Sequence, residues 1–238
     1  MKGKVCRFIS RRIYARTWRA PLAVPVLVAA ILGGLLITFY GGAQLGGFMG
    51  ELTAVTVASF AAAVFILLGC AFVAPAGNIA RKIGFCKLGK EELFLIAAGL
   101  VVVLPVAACL TAFWQQILDI FHIPYAREQG LIQLVKGADC KELFQLFLLT
   151  VVAVPLTEEL IFRRCLYNLL LPLGCVAAFA GTALIFSVAH GFLLGVPGLF
   201  FIGLIFQSLA NMTRNLWSSI ICHACHNAIV LAAACMNL

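Results

Sequence analysis

From Cys165 to Thr213 the chain carries no Asp, Glu, Lys or Arg, and a second charge-free run extends from Pro21 to Gly50. Crossing the hydrocarbon core of a bilayer takes about 20 apolar residues in a helix. Each run is therefore long enough for at least one crossing, and the longer one for two. The composition agrees: 63% of the 238 residues are hydrophobic and 11% are charged, and the mean hydropathy is +1.09. Soluble domains are nearer half apolar and a quarter charged. An ordinary cytosolic enzyme, a disordered tail and a secreted disulfide scaffold are all excluded. The expected fold class is all-α, a polytopic transmembrane bundle of about seven spans, with six to eight as the range.

The net charge of +8 matters through its placement. Lys2, Lys4, Arg7, Arg11, Arg12, Arg16 and Arg19 all precede the first apolar run, which by the positive-inside rule puts the N-terminus in the cytoplasm. No aromatic or glycine pattern accompanies these charges, so no nucleic-acid partner is expected. The run from Pro21 to Tyr40 is too long for a signal peptide and reads as a retained first helix. Gly41, Gly42, Gly46 and Gly47 then suggest a short external loop. Leu52 to Val73 is the second span, returning to a loop with Arg81, Lys82, Lys87 and Lys90, and Leu93 to Phe113 is the third. A polar stretch follows from Trp114 to Glu142, in which Tyr125 to Val135 suggests an amphipathic helix at the membrane surface.

A fourth run starts at Leu143. It reads either as one long helix kinked at Pro155 or as a short span followed by an interfacial helix. Cys165 to Thr213 then holds two spans joined around Gly195, Pro197 and Gly198, and a last span covers about Asn215 to Met236. This puts the C-terminus outside. Three parts result: residues 1–20 as a basic cytoplasmic arm, 21–142 as the N-terminal helices with the external segment, and 143–238 as a C-terminal helical core. The ten cysteines are scattered and mostly in apolar runs, where they act as small hydrophobes. Cys222-x-x-Cys225 has the spacing of a redox or zinc pair, but its setting in a late apolar helix favours the packing role.

Setting the loops aside leaves Glu158, Glu159, Arg163, Arg164, His190, His223 and His226 as the ionisable side chains at membrane depth. Unpaired, the four charges in Glu158–Arg164 would oppose insertion by roughly 10 kcal/mol. Glu159 and Arg163 are i,i+4 on a helix and suited to an ion pair. Glu158 lies about 100° round the helix from Glu159 and is left free to exchange a proton as a general base or acid. A structural alternative is that this cluster marks the cytoplasmic end of a span, with Arg163 and Arg164 reaching headgroups. That role is expected of Arg164. His190 alone would suit an interhelical hydrogen bond, as would His223 with Asn227, which are i,i+4, with His226 one residue off their stripe. Together, a carboxylate pair, a histidine and a His/Asn pair on three segments make a base, a partner for water and two oxyanion donors, the minimum for amide hydrolysis.

These residues resemble the motifs of the CPBP or Abi family of intramembrane proteases, which includes CAAX prenyl proteases of the Rce1 type and bacterial bacteriocin-processing or immunity proteins. Glu158, Glu159 and Arg163 match the first motif, Phe186 and His190 the second, and His223 and Asn227 the third. Asn215 to Ile221 also resembles the family's entry to the last helix. Arg164 departs from the pattern, since many members carry glycine there.

The resemblance, over about Leu143 to Leu238, implies a glutamate-dependent endopeptidase in a cell membrane, such as a bacterial inner membrane. It would act on a membrane-associated peptide, prenylated or a leader. Glu158 and His190 would activate water, His223 and Asn227 would stabilise the oxyanion, and Arg163 would hold Glu159. No cofactor is expected. A catalytic zinc with an open position is the alternative, disfavoured by the lack of H-E-x-x-H and by the asparagine. A non-proteolytic immunity or scaffold protein is the other reading of the same cluster. A plain span count places His190 near the external end of its helix and His223 nearer the cytoplasm, so catalysis requires these segments to converge.

Overall fold

The computed structural model describes residues 20–74, 79–126, 134–135 and 137–236. The basic arm lies outside the described residues, as does most of the expected surface helix, of which Leu134 and Val135 are helical. Every regular element among the described residues is helical. Helix α1 comprises Ala20–Leu36, a widened π-turn Ile37–Gly41 and Gly42–Met49. It is followed by α2 (Glu51–Val73), the short α3 (Ile79–Ile83) and the long α4 (Lys90–Ile120). The C-terminal half consists of α5 (Cys140–Leu173), α6 (Cys175–Ala189), α7 (Val196–Thr213) and α8 (Leu216–Met236). Among the described residues six helices are long and apolar enough to cross a membrane, and α6 is a shorter apolar helix. The outer surface presents large apolar side chains such as Leu36, Phe39, Phe72 and Phe94, each more than 60% exposed. In water such a surface would aggregate; in lipid it is solvated. The protein is an integral membrane protein with an all-α bundle.

The glycine cluster expected to form an external loop is helical instead, and the chain turns at Gly50, where φ is +82°. Glycines of α1 and α2 serve close helix contact, because lipid offers no hydrophobic drive and backbones must approach to gain dispersion. A Cβ on Gly34 would stand 2.7 Å from Ile66 Cδ1, and one on Gly69 2.8 Å from Ala30 Cβ. In the C-terminal core, α7 packs against α4, α6 and α8, while α5 lies against α2 and α8.

Of the two readings of the fourth run, one long helix is observed. It has π-turns at Leu148–Ala153 and Leu160–Leu166 around the α-helical Val154–Glu159. Pro155 has no N–H and its ring crowds the preceding turn, so the helix widens just before it and continues. This helix also takes in Cys165–Leu173, which shortens what remains for the next two elements. α6 has 15 residues, about 22 Å at 1.5 Å per residue, against a hydrocarbon core of about 30 Å. The join to α7 falls at 190–195, with Pro197 in the first turn of α7 and Gly198 packed on Thr111 and Ala107 of α4.

Candidate functional site

The short α6 resolves the depth conflict between the two histidines. Gly191 takes a left-handed φ of +62° and so terminates α6, whose last helical residue is Ala189 and whose cap is His190. His190 is thereby half-buried at the end of α6, against Phe186 and facing the same cavity as His223. Its Nδ1 lies 2.7 Å from the Phe186 carbonyl oxygen. A carbonyl only accepts, so Nδ1 carries the proton, and in the neutral ring Nε2 keeps a lone pair.

α8 begins from a firm anchor. Asn215, 1% exposed, caps it by accepting from Trp217 N–H at 3.2 Å, and also accepts from Cys86 N–H at 3.3 Å and donates to Cys86 O at 3.0 Å. Leu216 N–H donates to Gly84 O at 2.7 Å. With the start of α8 fixed to the α3–α4 connection, His223 comes two turns into the bundle.

α5 supplies the charges. Arg163 Nε donates to Glu159 Oε2 at 3.0 Å with both side chains fully buried, the i,i+4 pairing expected. His223 Nδ1 donates to the other carboxylate oxygen of Glu159 at 3.1 Å, and its Nε2 stands 3.8 Å from Glu158 Oε2. Glu159 is thus turned inward, bridging an arginine and a histidine. Glu158 is about a quarter exposed, and its buried Oε2 accepts no hydrogen bond from the described residues. Aromatic rings complete the frame. The Arg163 guanidinium lies 4.7 Å from the Phe186 ring centroid and 5.8 Å from that of Phe206. Phe206 stacks on His223 with centroids 4.8 Å apart, and Phe186 meets His190 edge-on at 4.7 Å. Such faces stabilise a cation by about 0.5–2 kcal/mol each.

Glu158, His190, His223 and Asn227 line one cavity of about 290 Å³, together with Thr150, His226 and apolar side chains including Phe186, Leu199 and Ile202. Glu159 and Arg163 stand behind it. The six candidate residues are brought together in two layers, four at the cavity and two in support. Asn227 Nδ2 donates to the Thr150 carbonyl at 2.8 Å.

Two contributors escape sequence reasoning, and a third, His226, stands in the sequence only as an ionisable side chain without a place in the motifs. Phe206 and Thr150 belong to no polar pattern. His226, one residue off the His223–Asn227 stripe, reaches the cavity all the same. One expectation is overturned: Arg164 does not reach headgroups but is 1% exposed, because its segment of α5 is packed against α1, α2 and α6. Its charge lies near the thiols of Cys70 and Cys165, whose sulfurs are 3.6 Å apart. Cys222 is buried, with its sulfur 3.9 Å from Ile96 O, a packing position.

Among the described residues no group of three or more His, Cys, Asp or Glu side chains is placed to hold a metal ion. Glu158, His190 and His223 share a cavity but are not grouped as three ligands around one point. A carboxylate with free lone pairs, a ring nitrogen with a lone pair and nearby amide and imidazole donors are the components for activating water against a carbonyl. Residues 141–229 match the model of a protein family described as type II CAAX prenyl endopeptidase Rce1-like. No curated protein and no solved structure matches the chain.

Proposed function

We propose that the protein is an intramembrane endopeptidase that cleaves a membrane-associated peptide by activated water, a reading supported by the match of residues 141–229 to the Rce1-like family model. The observation that carries this reading is the convergence of Glu158, His190, His223 and Asn227 on one cavity at membrane depth. Glu158 takes the proton of the attacking water and His190 Nε2 orients that water. Asn227 and His223 donate to the oxyanion. Since His223 Nδ1 already donates to Glu159, a second donation from Nε2 requires the imidazolium form. Two carboxylates then face two cations in the low-dielectric interior. Glu159 and Arg163 act through His223, holding its ring as a carboxylate partner orients a catalytic imidazole. The reaction runs without metal in this proposal, and the basic arm faces the cytoplasm.

The family match and the apolar helices support a peptide at the end of a membrane-bound chain, prenylated or not, as the substrate. The test uses purified protein in liposomes with membrane-anchored peptides, prenylated and unmodified, followed by mass spectrometry. Cleavage by the unaltered protein is expected to fall about 10²- to 10⁴-fold in Glu158→Gln and His190→Ala, the range for loss of general acid–base assistance, and to persist after chelation. Undiminished cleavage by both variants would sink the assignment. Full biological effect without cleavage would favour a partner-binding role.

A further inference from the structure

We infer that His226 is a positioning residue that fixes the orientation of the Asn227 amide; the inference rests on the hydrolytic reading above and adds a residue that none of the three motifs contains. An asparagine amide has one accepting and one donating end, and a flip exchanges them. In this site the orientation is determined by a neighbour. The Thr150 carbonyl, 2.8 Å away, only accepts, so the group facing it is Nδ2 and the group facing His226 is Oδ1. His226 Nδ1 lies 3.3 Å from that Oδ1. An acceptor opposite Nδ1 requires the proton on Nδ1, which leaves Nε2 of the neutral ring as the accepting nitrogen. Both ends of the Asn227 amide are thereby occupied, and the second hydrogen of Nδ2 is the one left for a substrate carbonyl oxygen.

The ring of His226 is itself held. It meets Phe206 edge-on with centroids 6.4 Å apart, and the same Phe206 stacks on His223 at 4.8 Å. One aromatic side chain of α7 thus aligns two successive histidine positions on α8. Thr150 is available as an acceptor because it lies in the π-turn Leu148–Ala153. In a π-turn the pairing of backbone carbonyls shifts by one residue, so a carbonyl is exposed to side chains from a neighbouring helix. The widened turn before Pro155 thereby acquires a role at the site. Without His226, Oδ1 of Asn227 would lose its partner and the Thr150 carbonyl alone would hold the amide through Nδ2, leaving the amide plane free to tilt and to turn the second Nδ2 hydrogen away from the oxyanion in a fraction of molecules.

Two measurements test this. The first is a kinetic cycle on the liposome assay. Removing an oxyanion donor with Asn227→Ala is expected to lower kcat about 10²- to 10³-fold. His226→Phe, which keeps the ring against Phe206 but removes the donor, is expected to lower kcat about 10- to 100-fold with KM nearly unchanged. His226→Gln, which retains a donor, should recover most of the loss. In the Asn227→Ala background His226→Phe should change kcat by no more than about twofold; an undiminished effect there would show that His226 acts otherwise and would overturn the inference. The second measurement does not depend on turnover. Nitrogen NMR of protein carrying isotopically labelled histidine, with His226→Phe used for assignment, should show Nδ1 protonated and Nε2 bare. In Asn227→Leu that preference should disappear. A proton on Nε2 in the unaltered protein refutes the proposal even if cleavage is observed, while an Nδ1 proton without any cleavage upholds the geometry and rejects the hydrolytic reading alone.

Discussion

Replacing Arg163 by methionine removes the positive member of a fully buried pair while keeping a side chain of similar length. At 3.0 Å and an effective dielectric of about 20, the attraction between two unit charges is roughly 5 kcal/mol. Loss of one partner from a buried pair destabilises by about 3–5 kcal/mol, because the remaining charge is left without compensation. Glu159 would keep His223, at 3.1 Å, and the Ser219 hydroxyl but no permanent cation beside it, and the aromatic faces of Phe186 and Phe206 would lose the guanidinium they enclose. Thermal unfolding in detergent, followed by circular dichroism, should show a fall in Tm of about 6–20 °C, at 2–4 °C per kcal/mol for a chain of this size. Glu159→Gln together with Arg163→Met removes both charges and should recover more than half of the stability. It should not recover cleavage, because His223 loses the carboxylate that orients it. If Arg163→Met melted within about 2 °C of the unaltered protein, or if the double variant were the sum of its single changes, the pair would not be energetically coupled and the argument would fail.

Two further variants address the packing that positions the site. Gly69→Ala gains up to about 1 kcal/mol of helix propensity, but its new methyl would stand 2.8 Å from Ala30 Cβ. Since neither group can swing away, a net loss of about 1–2 kcal/mol is expected. Gly47→Ala, which meets nothing within 4 Å, should instead be neutral or stabilising, and Tm measurements that failed to give opposite signs would contradict the close α1–α2 contact. Asn215→Ala removes the cap of α8 and leaves Cys86 N–H without its acceptor, an expected loss of about 1–3 kcal/mol. Asn215→Asp, which preserves both accepting contacts, should lose less, as read from the same melting curves.

Much of this molecule is legible along the chain because the constraints are local. A charge at bilayer depth is costly wherever the neighbouring helices lie, so the few that remain after the loops are discounted point to the candidate site, all but Arg164 lying at or behind its cavity, and Glu159 with Arg163 are paired by helical periodicity alone. Legibility fails where an outcome depends on a residue far away in sequence. Arg164 looked as free to reach the headgroups as any arginine near a span end, but α1, α2 and α6 pack around its segment of α5 and bury it. The glycines at 41–47 carry a loop composition, yet the helix runs on through them to Met49, with Gly42 packed closely on Val55 of α2. His190 was placed too far out because α5 takes residues that a plain span count assigns to the next helix.

By itself, then, the sequence determined that the protein is a lipid-solvated helical bundle and which side chains carry its polar chemistry, since hydrophobicity and i,i+4 spacing are properties of a segment. Only the tertiary structure decided that Glu159 turns inward to join Arg163 and His223 while Glu158 faces the cavity. It also decided that Phe206 aligns two histidines, and that His226 meets the amide of Asn227. Each of those outcomes depends on where a hydrogen-bond partner from another helix stands, and a partner's position in space is written in no single stretch of the chain.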